Sequence, residues 1–353
     1  MRPSIVKRVQ DALVPMIFER TVSEYAVRSL MGTLDVLGYV DGAVPEHIDL
    51  CEIEVDRDVS YGSHRQQRLD LYRPADRKPR ALVIYVHGGG FRTLSKETHR
   101  PMARILARAG YAAANIDYRL APEAAYPAAP SDAVAALRWL AERADALDFP
   151  LDRIVWAGES AGANIAMAAA LGSVYQADEP WGRGAFGLGV SPWGVVSICG
   201  LLQVSDPERL DRPGRLPSVV RDRLYEASRD YLPETFLQPE RAPMLADPVR
   251  LLEQGALPDR PLPWFFAASG TRDPVIEDTR RLTRAVEALG GTIEERIYPG
   301  EVHSFHAFLW RSQARDLWGD WLGEMEGREA EDQVDAAELL GVTRRSPHAR
   351  KRQ

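Results

Sequence analysis

From about residue 51 onward, short apolar runs alternate with stretches whose apolar positions recur at helical spacing. Eight runs read as strands, over residues 51–59, 67–73, 81–87, 111–117, 153–158, 195–202, 264–269 and 293–298. The third, Ala-Leu-Val-Ile-Tyr-Val-His, is apolar almost throughout, as expected of a strand covered on both faces. Helical patterns fill several gaps, at residues 101–109, 131–143, 161–171 and 277–289. This alternation predicts an α/β fold, with a mostly parallel sheet flanked by helices on both sides.

Two segments stand outside the alternation. Before residue 45, apolar positions fall at helical spacing: Ile5, Val9 and Leu13, then Val22, Tyr25, Ala26, Leu30, Leu34 and Leu37. Residues 203–239 are charged and broken by prolines, with a short helical pattern around 219–231. Both are extra to the sheet, and they are expected to pack together as a cap. The catalytic domain would then comprise residues 46–202 and 240–326, with residues 1–45 and 203–239 as the cap segments. Residues 327–353 are charged, end in a basic run, and read as a solvated, fraying tail.

The 353 residues are 45% hydrophobic and 27% charged, enough to bury a full-sized core in one or two domains. The net charge of −7, from 51 acids against 44 bases, is spread along the chain and argues against a nucleic-acid partner. Cys51 and Cys199 are far apart in apolar surroundings, so no disulfide framework is expected. No apolar run approaches the roughly 20 residues that span a bilayer. Arg2, Lys7 and Arg8 precede apolar residues, but Asp11, Glu19 and Arg20 interrupt any signal-peptide core. The expectation is a cytoplasmic protein with a small-molecule partner and no membrane partner; a homodimer is compatible with the sequence.

Two motifs carry chemistry. Gly158-Glu159-Ser160-Ala161-Gly162 matches G-x-S-x-G and sits between a predicted strand and a small-residue helix. A nucleophile at such a turn adopts a strained backbone with its hydroxyl exposed, and the flanking glycines give it room. His87-Gly88-Gly89-Gly90-Phe91 follows the third strand. Its glycines allow backbone N–H groups to reach a tetrahedral oxyanion, and Ala161 would add a donor after the nucleophile. The rival reading, a phosphate loop, would need G-K-[ST] or G-x-G-x-x-G spacing, which this glycine run lacks. His87 precedes the glycines and is expected to brace their loop.

These motifs, with Asp117-Tyr118-Arg119-Leu120-Ala121-Pro122-Glu123 and Tyr126-Pro127-Ala128-Ala129, resemble the hormone-sensitive-lipase family of bacterial carboxylesterases. The resemblance covers roughly residues 50 to 325. It implies an eight-stranded α/β-hydrolase fold with a helical cap, and no metal or cofactor. It also implies that the box from Asp117 to Glu123 ties down the glycine loop. Two departures are mild: Glu159 replaces the common aspartate, and Ser304 stands where glycine is usual.

The acid and base must follow in the order Ser, Asp, His. Gly270-Thr271-Arg272-Asp273-Pro274 resembles the acid turn, with Asp273 just beyond a strand end; its rival Asp278 falls inside the next helix. In Pro299-Gly300-Glu301-Val302-His303-Ser304-Phe305-His306, His303 matches the base position and His306 is the rival. A zinc site on the two histidines would need H-E-x-x-H and a third ligand, and neither is present. The candidate site is therefore Ser160, Asp273 and His303, with oxyanion donors from Gly88, Gly89, Gly90 and Ala161.

The expected activity is hydrolysis of small esters through an acyl-enzyme; the resemblance, with a capped pocket of ordinary size, implies that acyl chains of about four to eight carbons react fastest. Amide or lactone cleavage by the same residues is one alternative, because the same triad serves each leaving group. A non-catalytic receptor on this fold is another, although a receptor would be expected to have lost a triad member. The bonds Ala121–Pro122 and Tyr126–Pro127 are candidates for the cis form.

Overall fold

The computed structural model describes residues 38–339, apart from 212, 213 and 215, together with Thr33. Most of the predicted N-terminal cap segment and the last residues, 340–353, lie outside the described residues.

Eight strands form one sheet in the order β1-β2-β4-β3-β5-β6-β7-β8. They are β1 (Ile53–Ser60), β2 (Arg68–Pro74), β3 (Leu82–Val86), β4 (Ala112–Ile116), β5 (Ile154–Glu159), β6 (Gly194–Ile198), β7 (Trp264–Gly270) and β8 (Ile293–Tyr298). β2 runs antiparallel to both β1 and β4; every pairing from β4 through β3 to β8 is parallel. Every residue of β3 is buried, as its unbroken apolar run requires of a strand covered on both faces. In register, Val86 of β3 lies beside Gly158 of β5, so the strand ends carrying His87 and Ser160 emerge together.

The helices of the described residues are α1 (Arg100–Arg108), α2 (Ala128–Ala141), α3 (Ala144–Leu147), α4 (Ala161–Val174), α5 (Pro180–Gly187), α6 (Ser218–Tyr231), α7 (Pro248–Glu253), α8 (Ile276–Ala288) and α9 (Ser312–Leu339). α4 is buried at every position, which its alanine-rich sequence without a polar face permits. Among the described residues, no helix is long and apolar enough to cross a membrane. Cys51 and Cys199 are both buried and free. Ala121–Pro122 and Tyr126–Pro127 are both cis.

The structure departs from the sequence reading in three places. β6 stops at Ile198 rather than running to residue 202, because Cys199 turns into the left-handed region with φ 43°. α3, α5 and α7 were not anticipated: α5 is glycine-rich and weak in helix propensity, yet proline opens it and Trp181 and Ala185 bury its inner face.

The third departure corrects the tail that was set to begin at residue 327, since α9 continues to Leu339. Among the described side chains, Glu329 and Asp332 have partners in the main domain. Arg80 bonds Glu329 at 2.9 Å and Glu326 at 3.2 Å, and Trp193 donates to Asp332 at 3.0 Å. At the other end of the chain, the described part of the first cap segment packs on the main domain. Val40, Ala43 and Val44 are buried, and Asp41 pairs with Arg108 of α1 at 2.9 Å.

Candidate active site

The turn between β5 and α4 is set by close backbone approach. A Cβ on Gly162 would stand 2.1 Å from the Val86 carbonyl oxygen, and one on Gly158 would stand 2.6 Å from the Gly162 carbonyl carbon. Only glycine at both positions lets α4 start this close to β3. Between them Ser160 is held at φ 55° and ψ −120°, a conformation that L residues rarely adopt. The Ser160 N–H donates to Ile198 of β6 at 3.0 Å, which fixes the strained turn against the sheet.

His303 lies in the turn after β8, and Asp273 in the turn after β7. The structure brings these two residues together with Ser160. His303 Nε2 is 2.9 Å from Ser160 Oγ, and His303 Nδ1 is 3.0 and 3.1 Å from the two Asp273 oxygens. All three side chains are buried. Ser304 adopts φ 57°, which accounts for the usual glycine at that position and shows that serine can meet the same requirement. Burial pushes the His303 imidazole down, but the Asp273 carboxylate outweighs it, and the Cys199 sulfur adds to the rise. The imidazole is held well above the ordinary histidine value.

The rivals lie elsewhere. Asp278 accepts the N–H groups of Leu202 at 2.8 Å and Gln203 at 3.3 Å, and pairs with Arg209 at 2.7 Å. It anchors the chain as it leaves the sheet toward α6. His306 is buried, with its Nε2 3.4 Å from the Tyr85 hydroxyl, and burial pushes it down to about 4.

The glycine loop is braced as expected. Tyr118 donates to the His87 carbonyl at 2.9 Å, and Ala121 N–H donates to the Phe91 carbonyl at 2.9 Å. Asp117 accepts the Lys96 N–H at 2.6 Å. His87 stacks on Tyr118 at 4.4 Å, and burial with His99 nearby holds it down at about 3, so it stays neutral.

One predicted donor is corrected. The Gly88 N–H points inward to Glu159 Oε1 at 2.5 Å and is not available to an oxyanion. A Cβ on Gly88 would stand 2.9 Å from the same oxygen, so glycine is needed there for approach to Glu159. Among the described residues, the N–H groups of Gly89, Gly90 and Ala161 meet no protein acceptor.

α6 lies over this loop. Tyr231 stacks on Phe91 at 3.7 Å, and its carbonyl accepts the Tyr126 N–H at 2.7 Å. The Ala227 methyl group lies 3.4 Å from where a Cβ on Gly90 would stand.

Sequence reasoning missed the side chains behind the nucleophile. Glu159 is buried among His99 at 2.6 Å, Tyr85 at 2.6 Å and the Gly88 N–H. A carboxylate inside an otherwise apolar strand end was the available signal, because a buried charge requires a partner. Cys199, Asp273 and His303 offer ligand atoms within 4.8 Å of one another. A metal there would have to break the bond between Asp273 and His303. Gly182-Arg183-Gly184-Ala185-Phe186-Gly187 has G-x-G-x-x-G spacing, but it lies inside α5 rather than at a strand–helix turn, so it forms no phosphate cradle.

The family described as alpha/beta hydrolase fold matches residues 83–307. An acetyl esterase of Salmonella schwarzengrund (strain CVM19633) is 32% identical over 239 residues, covering 67% of this chain and 68% of that protein. Esterase B from Lactobacillus rhamnosis superposes with a TM-score of 0.65 at 22% identity, over 90% of this chain and 99% of that one. An esterase from the bacterial hormone-sensitive lipase family gives a TM-score of 0.65 at 22% identity, over 89% and 96% of the two chains. The chain belongs to the α/β-hydrolase family, within its carboxylic ester hydrolases.

Proposed function

We propose that this protein hydrolyses esters of short acyl chains through a covalent acyl-enzyme on Ser160. The reading is carried by one continuous relay, in which Ser160 Oγ meets His303 Nε2 at 2.9 Å and His303 Nδ1 meets Asp273 at 3.0 Å. His303 takes the Ser160 proton as Oγ attacks the ester carbonyl, and returns it to the departing alcohol. Water then attacks the acyl-enzyme, gives its proton to His303, and releases the acid and the serine. Asp273 holds the proton on Nδ1, so that Nε2 is free to accept. The N–H groups of Gly89, Gly90 and Ala161 stabilise the oxyanion in both steps.

α6 and the segment around it act as one wall of a cap over the acyl site. Each methylene buried there adds about 0.8 kcal/mol until the chain meets that wall. The name acetyl esterase carried by relatives at 32% identity supports the short end of the range.

A phosphonate ester with a chromogenic leaving group tests the nucleophile. One adduct should form on Ser160 and none on the Ser160→Ala variant. An adduct elsewhere, or activity within about tenfold of wild type in Ser160→Ala, would overturn the assignment. A series from acetyl to palmitoyl esters, with matched amides and lactones, tests the substrate class. The optimum should fall at or below octanoyl and on esters. A maximum at palmitoyl would make the protein a lipase.

A further inference from the structure

The residue just before the nucleophile is a charge in a place where charges are expensive. Glu159 is fully enclosed, and its two oxygens accept from three donors: Gly88 N–H at 2.5 Å, His99 Nε2 at 2.6 Å and the Tyr85 hydroxyl at 2.6 Å. Three converging donors identify it as a carboxylate rather than a carboxylic acid. Both ring nitrogens of His99 face oxygens. Its Nδ1 lies 3.1 Å from the Ser95 carbonyl and 2.8 Å from Thr98 Oγ, whose own proton goes to that carbonyl at 2.7 Å. With Nε2 facing Glu159 and Nδ1 facing the Ser95 carbonyl, each ring nitrogen has an acceptor for a proton, the arrangement an imidazolium requires. Directions of titration agree. Burial disfavours both charges, but each partner overrides it, so His99 rises and Glu159 falls to about 2.

Beyond the peptide bond to Ser160, the side chains of this pair reach the reacting site through Gly88. By drawing the Gly88 N–H inward, Glu159 turns the next peptide units of the loop, where Gly89 and Gly90 have φ of 101° and 60°. The loop thus presents Gly89 and Gly90 to the substrate because Gly88 is engaged behind it. We infer that His99 is a positioning residue for ester hydrolysis, holding Glu159 as a carboxylate so that Glu159 fixes the oxyanion-binding loop. The inference rests on the oxyanion role proposed above for Gly89 and Gly90. His99 touches neither substrate nor Ser160 in this role; it acts through Glu159 and Gly88.

The test compares affinity for a short-chain trifluoromethyl ketone, which forms a tetrahedral adduct with an oxyanion, with affinity for a ground-state amide analogue. Wild type, His99→Gln, Glu159→Gln and the double variant are compared as full-length protein. Each single variant should lose about tenfold or more in ketone affinity and in kcat, while amide affinity and KM stay within about threefold. The double variant removes both charges and should be no worse than the poorer single variant, because no uncompensated buried charge remains. A ketone affinity within twofold of wild type in either folded single variant overturns the inference, as do losses that add in the double variant. Glu159→Gln alone decides the matter if His99→Gln does not fold. Wild type forming no Ser160 adduct at all would instead overturn the proposed nucleophile.

Discussion

Arg92 lies 2.6 Å from Asp230, so the cation that follows the glycine loop is held by a carboxylate near the end of α6. The same guanidinium bonds Glu226 at 2.9 Å. The loop and α6 are therefore fastened by charge as well as by the stack of Phe91 on Tyr231.

Arg92→Ala should loosen that fastening at little cost in stability. Glu226 is 43% exposed, and partly exposed pairs contribute only about 0.2–1 kcal/mol. The change should appear in the acyl series as a flatter profile with more activity on longer chains. A profile identical to wild type would remove α6 from the acyl wall.

Asp273 and Asp278 are five residues apart in sequence and have different partners, so their asparagine variants should fail differently. Asp273→Asn should lower kcat by about 10⁴-fold with the fold intact, because the imidazole loses its tautomer partner. Asp278→Asn leaves Arg209 without its buried counter-charge and should destabilise by about 3–5 kcal/mol, with kcat within about tenfold in the folded fraction. Thermal melts and kcat measured side by side distinguish them.

Protonated His303 cannot take the Ser160 proton, and Asp273 raises its titration above the ordinary 6.5. Activity should therefore be present at alkaline pH and be lost as pH falls through that raised value. In a kcat/KM profile the acid limb of wild type should lie above 6.5, and that of Asp273→Asn at lower pH. An acid limb unmoved by Asp273→Asn would show that another group controls it.

Two glycines on neighbouring helices should respond oppositely to alanine. Gly162→Ala meets the Val86 carbonyl oxygen at 2.1 Å and should cost more than about 4 kcal/mol or prevent folding. Gly184 on α5 has nothing within 4 Å of an added Cβ, so Gly184→Ala should stabilise by roughly 0.5–1 kcal/mol. Melting temperatures and soluble yield check both.

The central strands were legible because unbroken apolar runs such as that of β3 have no other comfortable place than a covered sheet, whereas β1 and β8 showed only apolar positions among charges. Ser160, Asp273 and His303 were legible because each sits in a turn just after a strand, within segments that resemble the family's motifs. What escaped was side-chain direction. Gly88, Gly89 and Gly90 look equivalent in sequence, and only the Glu159 carboxylate, reaching across from β5, takes the first of them out of use. α9 escaped because charge was read as exposure. Glu329 lies against Arg80, some 249 positions away, and no local pattern announces such a partner.

That last helix also bears on how the molecule is made. Asp41, Pro45 and His47 lie among the first described residues, and they meet Arg108, Gly319 and Glu326. The helix that receives Pro45 and His47 is synthesised long after them, with Glu326 lying 279 positions beyond His47. Through Arg80 and Trp193 it also bonds the residues just before β3 and β6. The contacts of Pro45 and His47 therefore wait for a helix made after the whole sheet, whereas Asp41 can dock on Arg108 as soon as α1 forms.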